Sequence, residues 1–159
     1  MRRALRWLAA MAAALIALLL IALLAARFHD GPVGPFTGGT FRSGVESPAP
    51  SDWSFAAAGR TLELELPPAA GRSVTTWYAV VDGKLYVPCG LAQQKRWPHA
   101  VVADGRVRVR IEGRIYAMAA TRVDDPATLS RVAPEIGAKY GVPHDGFGTR
   151  DWIFALAAR

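Results

Sequence analysis

Two dipeptides, Asp82-Gly83 and Glu112-Gly113, each stand between runs rich in β-branched and aromatic residues, and they constrain this chain more than any other feature. Residues 74–81 and 84–89 flank the first; residues 106–111 and 114–123 flank the second. A short polar residue followed by glycine suits the left-handed positions of a tight hairpin turn, whose twist matches that of the strands it joins. The spacing therefore predicts two β-hairpins and a mainly antiparallel sheet. In 74–81 both alternating sets, Thr76, Tyr78, Val80 and Trp77, Ala79, Val81, carry large apolar residues, as in a strand buried on two faces or wrapped into a barrel. Residues 106–111 alternate cleanly, with Val107, Val109 and Ile111 inward and Arg106, Arg108 and Arg110 outward. The three arginines read as a solvated face partnered by Glu63, Glu65 or Glu112 in preference to an anion-binding stripe. Upstream, Leu62, Leu64 and Leu66 alternate with polar residues in a half-buried strand stopped by Pro67-Pro68, and Trp53 and Phe55 are placed to close over the core.

The amino-terminal end follows a different rule. Trp7 to Ala26 carries no charge and consists almost wholly of Ala, Leu, Ile and Met; as a helix it spans about 30 Å, the thickness of a bilayer core. Arg2, Arg3 and Arg6 outweigh the single Arg27 beyond the run, which by the positive-inside rule puts the amino terminus in the cytoplasm and the rest outside. A cleavable signal peptide is the rival reading. Its apolar region is usually shorter, and Leu24-Ala25-Ala26 puts leucine where a small residue is wanted, so an uncleaved signal-anchor is preferred. The net charge of +6 shrinks to about +2 once those four arginines are set aside, which leaves no basic face for nucleic acid. Cys89 is the only cysteine, so neither a disulfide framework nor a multi-cysteine metal site is expected, and a small buried residue at a strand end is the plainest role for it.

Between anchor and sheet, residues 28–52 are dense in glycine and proline and read as a juxtamembrane linker, although Val33, Phe36 and Phe41 also suit packing on the domain or at lipid headgroups. The expected division is thus 1–27 transmembrane, 28–52 linker and 53–159 domain. Residues 90–99 are expected as a loop with a helical turn, and they hold most of the reactive chemistry: Lys95 and Arg96 for phosphate or carboxylate, Trp97 to stack on a planar ring, His99 to move a proton. Solvated cations and a structural histidine are the plainer alternatives. Asp124-Asp125-Pro126 starts a helix that presents Leu129, Val132 and Ile136 inward and ends at Gly141, with a kink or two short helices expected at Pro134. Residues 152–157 read as a closing strand. Nucleophile elbow, zinc-protease, phosphate-loop and dinucleotide fingerprints are all lacking.

The order of parts, from Arg72-Ser73-Val74-Thr75-Thr76-Trp77-Tyr78 through Asp82-Gly83-Lys84-Leu85-Tyr86-Val87, Lys95-Arg96-Trp97-Pro98, 106–111 and Ala119-Ala120-Thr121-Arg122-Val123 to Lys139-Tyr140-Gly141, resembles the flavin-binding split β-barrel superfamily. That group includes pyridoxamine-phosphate oxidase-like proteins and deazaflavin-dependent nitroreductases. The Gly-Pro run after the anchor resembles that of single-pass bacterial membrane proteins with no assigned activity. The resemblance implies an α+β fold, a small antiparallel split β-barrel with one or two flanking helices, and a homodimer. It also implies an FMN or deazaflavin cofactor, with Arg72, Thr75 and Thr76 on one side of its site and Lys95, Arg96 and Trp97 on the other. Where the nitroreductase pattern continues Trp-Tyr-x-Asn, this chain has Trp97-Pro98-His99-Ala100, and an extracytoplasmic domain lacks a supply of reduced cofactor. The preferred expectation is therefore a bacterial inner-membrane protein with a binding or interaction module lacking redox activity. An oxidoreductase acting by hydride transfer is the alternative.

Overall fold

In the computed structural model, which describes residues 2–159, both turns adopt the predicted geometry, with φ of 51° and 70° at Asp82 and Gly83 and 51° and 75° at Glu112 and Gly113. The elements in chain order are α1 (Arg2–Ala26), β1 (Val45–Ser47), β2 (Thr61–Glu65), β3 (Ser73–Trp77), β4 (Ala79–Val81), β5 (Lys84–Cys89), α2 (Arg96–Ala103), β6 (Arg106–Ile111), β7 (Arg114–Arg122), α3 (Pro126–Tyr140) and β8 (Trp152–Ala158). The strands run β3-β2-β6-β7-β8-β5-β4, antiparallel throughout, with β1 lying parallel to the start of β7. Only Tyr78 separates β3 from β4, the two ends of that order, so the sheet closes on itself through the chain. This is the expected barrel, and Leu62, Leu64, Val109, Met118 and Phe154 fill it.

Residues 74–81 do not form the single strand expected. Among the strands, β3 pairs only with β2 and β4 only with β5. The phenol of buried Tyr78 donates to the Ala56 carbonyl at 2.6 Å, while its backbone N–H donates to the Tyr140 hydroxyl at 3.1 Å. The corner is thus satisfied by groups outside the ladder, as a buried amide requires. Pairing of the three-residue β4 ends at Ala79–Tyr86, so Val87, Pro88 and Cys89 run beside β3 without a ladder to it. That gap is the split in the barrel.

Three other expectations change in detail. α3 continues through Pro134 as one helix of 15 residues: Pro134 is on the exposed face, where water can serve the orphaned carbonyl, while Val132, Ala133 and Ile136 hold both halves against Ala79, Val81, Tyr86 and Ile153. Its ends match expectation, with Asp125 accepting from the Thr128 amide and Gly141 left-handed at the cap. The helical turn expected within 90–99 becomes a 3-10 turn at Ala92–Gln94 followed by α2, which continues to Ala103 because Pro98 and Val101 bury on the core. Of the carboxylates expected to meet the arginine face, Glu65 pairs with Arg108 and Glu63 with Arg110; Glu46 joins the first pair and Asp30 the second, while Glu112 takes no part.

Asp30 and Glu46 come from the turn-rich segment 28–52, which lies along the sheet instead of hanging free. Phe41 is buried under the Arg108 and Arg110 guanidiniums, whereas Val33 and Phe36 are exposed. The Ser43 hydroxyl, the Arg42 amide at 2.6 Å and the Arg110 guanidinium all donate to the Asp30 carboxylate and hold its pKa far below the ordinary range. A depressed folded pKa stabilises the fold above the unfolded value, about 4, and that contribution is lost as pH falls through the folded value. A side-chain carboxyl NMR titration is expected to find Asp30 still ionised where ordinary aspartates are protonated; a midpoint near 4 would contradict this clasp.

α1 leaves the barrel behind and is exposed over residues 6–25. Arg6–Ala26 is long and apolar enough to cross a membrane, and a signal sequence has the same length and composition.

Candidate functional site

The split and the start of α2 bring the predicted site residues together. Arg72, Lys95, Arg96 and Trp97 line a cleft of about 500 Å³ with Thr37, Leu66, Ala69, Ala70, Val74 and Ala100. A second cavity of about 370 Å³ occupies the split itself, between Thr75, Thr76 and Trp77 of β3 and Pro88, Cys89 and Gly90, and it shares Lys95 and Trp97 with the first. Thr75 and Thr76 point to opposite faces of their strand, so they do not form one hydroxyl pair; both reach the cavity because β3 is an edge there. On that edge Ser73 already turns its N–H to the Gly38 carbonyl at 3.0 Å, and the antiparallel alternation points the Thr75 and Trp77 amides the same way.

Local chemistry makes the first cleft receptive to an anion. Lys95 occupies the capping position of α2 but has no acceptor to offer, and no side chain caps the helix. The first-turn amides of Arg96 and Trp97 therefore face outward beside the two cations, the arrangement that favours negative charge at a helix start. Pro98, in the same turn, costs nothing there because its missing N–H would have had no partner. None of the cleft's lining residues is a carboxylate, and among the described residues no ion pair includes Arg72, Lys95 or Arg96. Trp97, half buried, leans on Phe154 with ring centroids 5.7 Å apart and supplies an apolar wall.

The loop before α2 is held tightly. Leu91 adopts φ of 51°, a left-handed conformation costly for a side chain of this size, while its amide donates to buried Asp151 at 2.7 Å and the Ala92 amide to the Arg150 carbonyl. Burial opposes ionisation of Asp151, but Arg150 and the Leu91 amide together hold its pKa below the usual value. His99 stands outside both cavities, packed edge-on against Trp152 at 5.0 Å. His144 and Asp145 lie in the loop after α3 and form no pair. Cys89 is buried, and burial pushes its thiol up to about 11. It is expected to react negligibly with a thiol reagent at pH 8 in the folded chain and fully in denaturant; fast labelling of the folded chain would contradict the burial.

Nothing in the local pattern marked Thr37, Leu66, Ala69, Ala70 and Ala100 as lining residues. Thr37 arrives only because the following Gly38 and Gly39 fit against Ser73, whose hydroxyl donates to the Gly39 carbonyl at 2.6 Å. The glycine pair was the one available signal.

No protein-family model matches the sequence, and no curated protein matches it. Among solved structures the chain is similar to the conserved hypothetical protein Rv2991 from Mycobacterium tuberculosis, with TM-score 0.51 and 18% identity over 71% of this chain and 86% of that one. General Stress Protein 26 from Bacillus anthracis follows at TM-score 0.48 and 14% identity over 65% and 84%. A FAD-binding protein (mll6688) from Mesorhizobium loti gives 0.46 and 17% over 65% and 83%. At such identities the likeness is one of fold, and the fold is the split β-barrel.

Proposed function

We propose that this chain is a single-pass bacterial inner-membrane protein, amino terminus cytoplasmic, whose extracytoplasmic split β-barrel binds an anionic ligand between Arg72 and the Lys95-Arg96-Trp97 start of α2, without redox activity. The observation that carries this reading is the cleft's composition: three cations, two outward amides and an aromatic wall, with no carboxylate in its lining. Charge-assisted hydrogen bonds to an anion contribute about 1.5–3 kcal/mol each. His99 and Cys89, the residues best suited to proton transfer or nucleophilic attack near the cleft, are respectively turned away and buried with a raised pKa.

A second reading, a flavin or deazaflavin oxidoreductase, is favoured by one feature: the cationic cleft and the split adjoin through Lys95 and Trp97. Arg72, Lys95 and Arg96 would hold a cofactor phosphate, with Thr75 and Thr76 beside the ring. The bound cofactor would supply hydride transfer, and the chain would supply position and exclusion of water. A homodimer belongs to this reading by resemblance. Titrating the full chain in detergent with FMN and with a deazaflavin cofactor, following absorbance and fluorescence, separates the two. The non-redox reading expects no binding; tight binding weakened about tenfold or more by Lys95→Ala or Thr76→Ala would overturn it in favour of the oxidoreductase.

A further inference from the structure

One wall of the cationic cleft stands close to the end of α1. After Ala26 the chain makes a turn, His29 N–H to the Ala26 carbonyl, and the Gly39 amide then donates to the His29 carbonyl at 3.0 Å. The contact is backbone on backbone: a Cβ on Gly39 would lie 2.6 Å from the Arg27 carbonyl oxygen, and one on Gly38 would lie 1.7 Å from that of Gly31. Gly38 exchanges both backbone hydrogen bonds with Ser73, the neighbour of Arg72. Thr37, on the cleft wall, is two residues from Gly39, so it stands no more than about 7 Å along the chain from the backbone packed against the helix end. The headgroup layer of each leaflet has about that depth. Around this collar Phe28, Val33 and Phe36 are exposed, the last two on a tight turn closed by reciprocal bonds between them. Such apolar side chains beside Arg27 suit the interface of a bilayer.

We propose that the ligand of the cleft is an anionic phospholipid drawn from the leaflet in which α1 ends. This rests on the anchor reading above. The headgroup phosphate binds Arg72, Lys95, Arg96 and the first-turn amides of α2, and the start of the acyl region lies along Leu66, Val74 and Trp97. Charge complementarity selects this occupant, and the collar keeps one wall of the cleft close to the leaflet that supplies it.

The test uses the full chain in mild detergent with phosphatidylglycerol and phosphatidylcholine, read by native mass spectrometry. Preferential retention of phosphatidylglycerol is expected, reduced about fivefold by Arg72→Ala and again by Lys95→Ala, whereas Arg106→Ala, a cation outside the cleft, changes nothing. Phosphatidylglycerol brominated near its headgroup is expected to quench a component of emission that Trp97→Phe removes. Equal retention of the two lipids, retention indifferent to the cleft variants, or displacement by equimolar inorganic phosphate would overturn the proposal, the last assigning the cations to a soluble anion. Alkaline carbonate extraction of native membranes separates the two failures. A chain that stays in the membrane without lipid preference sinks this inference alone, and a chain that washes off sinks the anchor with it.

Discussion

Replacing Phe154 by alanine is expected to lower the unfolding free energy by about 3–5 kcal/mol, the range for removing a fully buried aromatic side chain. Phe154 is 1% exposed at the middle of β8. Its neighbours are large and rigid: Trp97 lies 5.7 Å and Trp152 6.4 Å away between ring centroids. The ladders of β8 to β5 and β7 fix its backbone, so the barrel cannot collapse into the space and the cavity term is felt in full. Against a net stability of about 5–15 kcal/mol for an ordinary domain, this is a large share. The substitution also removes the support on which Trp97 leans, so ligand binding at the cleft should weaken even under conditions where the domain remains folded. Urea denaturation of the chain in detergent measures the first effect and lipid retention the second. A loss below about 1 kcal/mol would mean that the barrel interior is not closed around this residue.

How much of this was readable beforehand depends on whether the signal was local. The Asp82-Gly83 and Glu112-Gly113 turns, the Asp125 and Gly141 caps and the alternation of 106–111 are set by residues next to each other in the chain, and the structure keeps them. The corner at Tyr78 was invisible because the apolar alternation of 74–81 runs straight through it. Alternation reports which face of a strand is buried but not which strand it pairs with, so the change of partner, and with it the split, left no mark. The same holds for Asp30, whose tie to Arg110 spans 80 positions. The six candidate site residues do gather around two adjoining cavities, because the start of α2 and the edge of β3 face each other across the split. Their basic and hydroxyl character was local; the apolar wall of Leu66, Ala69, Ala70 and Ala100 that completes the cleft was not.

The corner carries the other large effect. Tyr140→Phe is expected to cost about 2–4 kcal/mol although it deletes a single oxygen. The ring would remain, stacked on Trp77 with centroids 4.4 Å apart and planes 5° from parallel, and the Arg60 guanidinium would remain 4.9 Å from its centroid. What disappears is the hydroxyl that accepts from the Tyr78 amide and lies 2.6 Å from the Tyr78 carbonyl and 2.5 Å from that of Arg60. With one proton it donates to one carbonyl at a time, so the variant loses one accepted and one donated bond. Burial raises its pKa, which keeps it a donor across the physiological range. The Tyr78 amide would keep only a 3.4 Å approach to the Arg60 carbonyl, long for a hydrogen bond. Unsatisfied at a position where the sheet cannot close by itself, the corner should open first. Amide exchange at Trp77 and Tyr78 is therefore expected to accelerate more than exchange in β6 and β7. Uniform acceleration throughout the barrel would show instead that Tyr140 stabilises the fold as a whole and does not hold the two sides of the split together.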